Sequence, residues 1–413
     1  PAPAGLGVFM LAALFALSAT CASAEFALTA DSAARLAREK NPELQAARSL
    51  VAEAEGRARS TGRLTNPELE IEVAGGQDFE GRVSVGLTQR FPLTARLRLE
   101  RNLSALDIER ARLEVRQKEL QLTWAARAAF YELAATREAM ALAARQAAVA
   151  KGLAGSLRNS ASTGLASNLD AGQAALTGEG FEVAREAIRA DEALAAGRLA
   201  NLLGLRADTK FILKESLALP KTLPANRSIG FRPDLRLAEM AVEAGEADVS
   251  LAQATRWEDV GVGVFVEGER FRDEPEGIEP EALVGVRLSL PLPLWQNGAG
   301  KVAEKQAVQE RQRKHLEALR LSALNQALAT HRAMAAHYRA STLAESRVLP
   351  AARQQVADIE AVYQRGEIDT LTLFRGRERL AEFETSALEA RKKFHLARSE
   401  WLAAVGEPAT TQP

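Results

Sequence analysis

Two stretches of the chain alternate apolar and polar residues with a period of two, and the long stretches around them repeat their apolar residues with the period of a helix. In the first, Leu69, Ile71 and Val73 alternate with Glu68, Glu70 and Glu72, and a return strand alternates Val83, Val85 and Leu87 with Ser84, Gly86 and Thr88. In the second, Val260, Val262, Val264 and Val266 are answered by Val284, Val286, Leu288 and Leu290. A period of two gives each strand one apolar face. Strands of about nine residues are as long as a tilted strand must be to cross the hydrocarbon of a bilayer. A half-buried soluble sheet produces the same alternation. Helical periods cover about 30–64, 96–157, 169–203, 234–257, 301–363 and 371–405. A helix of about 60 residues extends ~90 Å and needs neighbours along its whole length. These helices are rich in alanine, which lets them approach closely as coiled coils, while spaced Arg and Glu keep the other face wet.

The layout occurs twice. Asn41-Pro42-Glu43-Leu44 returns as Arg232-Pro233-Asp234-Leu235, and the strand starting at Pro67 returns at Glu258, both 191 positions later. Phe91-Pro92-Leu93 matches Leu292-Pro293-Leu294 at 201, and Gly164 and Gly204 match Gly366 and Gly406 at 202. A register held through hairpin, turn and final glycine points to an internal duplication, although Ala-rich helices inflate such similarity. The growth of the offset across the hairpin predicts a longer loop in the second copy. The expected organisation is a signal over 1–24 and a first repeat over 25–231. That repeat holds a hairpin at about 67–92, a tip turn at about 158–168 and a linker at about 205–231. A second repeat over 232–406 has its hairpin at about 259–292 and its tip turn at about 364–370, and a tail covers 407–413.

The apolar run from Leu6 to Leu17, followed by Ala22-Ser23-Ala24, reads as the core and cleavage box of a secretion signal. It is shorter than the ~20 residues of a membrane-spanning helix. Cys21, the one cysteine, lies inside it, in a loose likeness of a lipoprotein box. The mature chain would then hold no disulfide and no thiolate metal site. Beyond the signal no run of about 18 apolar residues occurs, so any membrane crossing falls to the strands. A formal net charge of −1, with acids and bases interspersed along the helices, leaves no extended basic field for nucleic acid. The histidines His315, His331, His337 and His395 are scattered, the closest pair six apart, where one helix face requires three or four. With no zincin motif, phosphate-cradling loop or nucleophile elbow, the expectation is no enzyme activity, no cofactor and no metal centre.

Four strands cannot close a barrel, and open strand edges are not tolerated in lipid. Several copies would have to share one barrel, and three copies would bring twelve strands, wide enough for an open channel. Two turns far from the hairpins interrupt the helical pattern, around Thr163-Gly164-Leu165 and Gly366-Glu367-Ile368. Each puts a glycine where a helix can stop and a capping residue where the next can start.

Hairpins set in long helices, repeated tip turns and the strand exit Pro291-Leu292-Pro293-Leu294 make the chain resemble the TolC-like outer-membrane efflux factors, over about 28–406. That resemblance implies an α+β membrane protein. It would be a homotrimer whose twelve strands form an outer-membrane β-barrel in lipid and whose coiled-coil helices form a periplasmic tunnel. It further implies a passive duct fed by an inner-membrane pump, of the RND type, through a periplasmic adaptor. The adaptor would dock at Thr163, Gly164 and Leu165 and at Gly366, Glu367 and Ile368. Some relatives constrict the closed tunnel with acids six and nine residues beyond the second tip glycine. Here those positions hold Thr372 and Arg375, with Asp369 and Asp170 nearby, a departure that leaves Arg375 as a candidate for ion pairs between protomers. The segment from Pro291 to Gly300 looks most like the heavy-metal (CzcC-like) branch, although Thr94-Ala95-Arg96 in the first copy lacks the paired glycines common there. The expected cargo is thus metal cations. The alternatives are a multidrug or general export duct of the same family and a soluble periplasmic coiled-coil scaffold.

Overall fold

The computed structural model describes residues 25–75, 81–163, 167–273, 277–295 and 297–406. The expected signal with Cys21 and the tail at 407–413 lie outside the described residues. Strand β1 (Glu25–Leu28) and helices α1 (Ala30–Lys40) and α2 (Pro42–Ser60) lead into a hairpin of β2 (Glu68–Gly75) and β3 (Gly81–Phe91). Helices α3 (Arg96–Ser162) and α4 (Asn168–Leu202) follow. Strand β4 (Lys210–Leu213) opens the connection to α5 (Pro233–Ala254) and to a second hairpin, β5 (Val260–Asp273) and β6 (Gly277–Ser289). Helices α6 (Ala299–Leu343), α7 (Leu349–Gln364) and α8 (Thr370–Ala404) complete the chain. No helix among the described residues is long and apolar enough to cross a membrane.

The period expected over 30–64 is broken at Asn41. Pro42 occupies the first turn of α2 and the Asn41 side chain accepts the Leu44 amide at 3.0 Å, so one residue ends α1 and caps α2. The period expected over 301–363 contains Pro350, which has no amide hydrogen for the carbonyl one turn earlier and crowds it with its ring. A π turn over Ala344–Val348 absorbs the fault and joins α6 to α7 without ending the rod.

With 67 residues, α3 extends about 100 Å. Toward its C-terminal end its buried residues are Ala143, Ala147, Ala150, Ala154 and Leu157, an alternation of four and three that forms a seam against Ala171, Ala174 and Gly178 of α4. Nearer the sheet the packing thickens. Phe130, Leu133, Leu199 and Leu203 close around α1, β1 and β4 in one core, while Met334, Phe394 and Trp401 form a second between α6 and α8. Truncating a fully buried phenylalanine such as Phe394 to alanine costs ~3–5 kcal/mol.

The two halves use the same joint. Asn41 Nδ2 donates to the Leu202 carbonyl at the end of α4 at 3.0 Å, and Arg232 Nη1 donates to the Ala404 carbonyl at the end of α8 at 2.9 Å. Gly204 and Gly406 then turn the chain with φ of 66° and 73°. A Cβ there would stand 2.5 Å from the Lys40 carbonyl oxygen and 2.6 Å from that of Phe231 respectively, so only glycine fits.

The hairpins form one antiparallel sheet in the order β2-β3-β5-β6. β1 and β4 pair in parallel elsewhere, β1 at the start of the expected first repeat and β4 within its expected linker. The longer loop expected in the second hairpin is not there. The added residues lengthen the strands, whose ladder runs on to Asp273 and Gly277, whereas the first hairpin stops pairing at Gly75 and Gly81.

His395 of α8 is buried, stacked on Tyr131 with ring centroids 4.3 Å apart and edge-on to Phe394. Neither ring nitrogen reaches a hydrogen-bond partner, although the backbone of Leu217 and Ala218, Glu215 and Arg398 lie close by. Burial holds the imidazole below its ordinary pKa, and the same burial, with Glu215 accepting from the hydroxyl at 3.0 Å, pushes the Tyr131 phenol up. The unfolded chain therefore binds a proton near pH 6.5 that the folded chain refuses. Thermal stability is expected to fall as pH drops from 7.5 to 5.5. Melting scans of His395→Phe, which keeps the stack, should show a smaller fall, and an identical slope in the variant would assign the acid sensitivity elsewhere.

Candidate functional site

The register of the sheet sorts its residues onto two unlike faces. Ile71, Val85, Val266 and Val284 lie in one cross-strand row, and Leu69, Leu87, Val264 and Val286 in another. Val73 with Val83, and Val262 with Leu288, extend the same face at either end. These twelve aliphatic side chains are 40–76 % exposed. The opposite face carries Glu68, Glu70, Glu72, Arg82, Arg90, Glu267, Glu269, Glu281 and Arg287, and here Ser84 is buried. The sheet is inside out: its apolar face is open throughout, while its polar face is partly sheltered along the two central strands.

The polar face is internally paired. Arg82 of β3 reaches Glu267 and Glu269 of β5 at 3.0 and 3.3 Å, and Arg90 meets Glu68 of β2 at 3.3 Å. Arg287 of β6 pairs with Glu70 of β2, from one edge strand to the other. A flat sheet would separate those edges by about 14 Å, so the pair closes because the sheet curls toward its polar face. At the junction with the helices, Arg96 in the first turn of α3 holds Asp259 at 2.6 Å and Glu100 at 2.8 Å, and Thr94 donates to the Ala254 carbonyl at 3.1 Å.

At the far end of the molecule lie the two helical tips. Thr163 is exposed and donates its hydroxyl to the Ser160 carbonyl at 2.9 Å, ending α3. Gly164 and Leu165 lie outside the described residues. Ser167 caps α4 through the Leu169 amide, with a half-buried Asp170 in its first turn. In the second tip Gly366 turns at φ 76° and Glu367 accepts from Arg365 at 2.7 Å. Ile368 is half-buried. Asp369 caps α8, accepting the Thr372 amide at 3.0 Å and the Thr372 hydroxyl. Those Thr372 bonds hold the Asp369 carboxyl below the usual carboxylate range. Asp369 and Thr372 are thus brought together as a cap, and Arg375 is exposed one turn on. Arg375 forms no ion pair among the described residues, although its charge adds to the lowering of the Asp369 carboxyl.

Phe374 ties the tips side by side by packing against Ala154, Leu157, Ala171 and Ala174 of the α3–α4 hairpin. Above it Arg375, Arg145, Phe181 and Leu371 border a cleft of about 600 Å³ between the two helical hairpins. Among the described residues no three His, Cys, Asp or Glu side chains gather closely enough to hold a metal ion. Sequence reasoning assigned no role to Phe265, Arg287 or Glu70. The available signal was the glycine in place of a polar residue on both strands flanking Phe265, at Gly86 and Gly285.

No family model and no curated protein matches the chain. Solved structures do. CusC, studied for folding and transmembrane channel formation, superposes with a TM-score of 0.75 at 16 % identity over 91 % of each chain. The outer membrane protein VceC of Vibrio cholerae gives 0.73 at 18 % identity over 91 % of this chain and 96 % of its own. The open outer membrane channel MtrE of Neisseria gonorrhoeae gives 0.70 at 17 % identity, over 91 % and 88 %. Likeness of this extent at such low identity is a likeness of fold, and the fold is that of outer-membrane channels.

Proposed function

We propose that the chain is the outer-membrane duct of a tripartite efflux system, a passive exit that carries its cargo from an inner-membrane pump and a periplasmic adaptor to the exterior. The inside-out sheet carries this reading. Exposed apolar surface this continuous costs ~25 cal/mol per Å² in water and costs nothing against lipid tails. With two open edges, one sheet cannot sit in lipid alone. Three copies closing β6 of one onto β2 of the next satisfy every edge and give twelve strands. Helix α4 supports the same assembly: Leu169, Leu176 and Val183, seven apart, are exposed on it, the spacing of a coiled-coil seam. Two tandem copies, 25–231 and 232–406, behind a cleaved signal over 1–24, account for the twin joints and twin hairpins.

The adaptor docks at the helical tips, Thr163 to Leu165 and Gly366 to Ile368, and Arg375, which forms no ion pair among the described residues, meets a carboxylate of a neighbouring protomer. The cargo is metal cations, on the resemblance of the Pro291–Gly300 segment to the heavy-metal branch. A soluble scaffold would have to cover the aliphatic face with a partner, and extraction separates the readings. The duct requires detergent and elutes at the mass of three chains, whereas release as a monomer by osmotic shock would overturn it. Val264→Arg, on the lipid-facing row, is expected to cost ~2–4 kcal/mol per copy near mid-membrane and to reduce the trimer recovered from outer membranes. A deletion strain complemented by this gene tests the cargo: selective sensitivity to zinc, cobalt, cadmium, copper or silver supports cations, and broad sensitivity to dyes and bile salts supports general export.

A further inference from the structure

Phe265 is an aromatic ring on a face otherwise lined mostly by charged and small residues. Its cross-strand neighbours are Gly86 on β3 and Gly285 on β6. A Cβ on Gly285 would overlap the ring, and one on Gly86 would stand 3.4 Å from the Phe265 Cβ, so the two glycines form a socket for it. Arg287 lays its guanidinium 5.3 Å from the ring centroid and continues across β5 and β3 to Glu70. The row of Phe265 lies between the two complete aliphatic rows of the other face, at the middle height of the apolar band.

Stability does not call for this arrangement. Arg287 and Glu70 are each nearly half exposed, and ion pairs so exposed contribute little. A fixed charge seated on a ring does have a use where solutes pass, because charged side chains lining a narrow passage set which ions traverse it. We propose that Arg287, seated on Phe265 and tied to Glu70, is a bar across the inner face of the barrel, one in each copy, that narrows the passage at mid-membrane and sets its ion preference. This rests on the trimeric-barrel reading above. The bar lies far from the helical tips, and in it a permanently charged guanidinium is balanced by a carboxylate.

Single-channel recording of the purified full-length trimer in planar bilayers tests it, with conductance in dilute and concentrated KCl and the reversal potential under a KCl gradient as readouts. Arg287→Ala is expected to raise conductance roughly two-fold in dilute salt and to move the reversal potential toward cation preference, with less effect in concentrated salt. Glu70→Gln frees the guanidinium and is expected to move the reversal potential the opposite way. The exchange Glu70→Arg with Arg287→Glu should return both readouts toward the wild type, and melting temperatures should stay unchanged throughout. A wild-type channel whose conductance and reversal potential are the same in Arg287→Ala and Glu70→Gln overturns the bar and leaves the duct intact. A wild-type trimer that opens no channel overturns the duct, and the bar with it.

Discussion

Backbone hydrogen bonding at the edges of one four-stranded sheet is the constraint on which the rest of the molecule depends. Within the sheet every strand is paired, but β2 and β6 each present an unpaired side, and the aliphatic face offers no water-friendly way to cover it. In the proposed duct that face meets lipid, and the edges must then be closed by protein, because hydrocarbon supplies no donors or acceptors. The polar face can then stay polar only by curling around a shared interior, and the crossing of Arg287 to Glu70 records that curl in a single chain.

The helical part follows from the need to hold such a sheet at a fixed angle to a long rod. Arg96 and Asp259 clamp the start of α3 to the start of β5, so the two hairpins and the longest helix meet at one point. Farther down, two equivalent joints end the returning helices. The amide of Asn41 and the guanidinium of Arg232 do the same task with different chemistry, so the two joints keep their glycines after α4 and α8 while the residue opposite each differs in kind. Alanine seams carry the remaining length, where large side chains would force the helices apart.

Much of this could be read from the chain alone, and the failures have physical reasons. Strand faces and helical rods were legible because their periods are long and strict. β1 and β4 were not, since four residues are too few to express a period. The second hairpin was misread because an offset counts residues without saying whether they pair, and here they extend a ladder. At the second tip Gly366 and the capping Asp369 stand where one helix ends and the next begins, whereas the surroundings of Arg375 depend on side-chain directions that spacing does not encode. Arg287 and Glu70 are 217 positions apart, and nothing local links them.

The π turn at Ala344–Val348 has an effect beyond relieving Pro350. A turn of this kind takes one residue more than an α turn, so everything after it is rotated by roughly 100° about the axis relative to an uninterrupted helix. The rod from α6 through α7 is thereby re-phased partway along. Before the turn its apolar residues address α5 and α8, and after it α7, with Ala352 and Val356 buried, packs mainly on α8. One continuous rod can thus pack between two helices at one end and mainly against a single returning helix at the other.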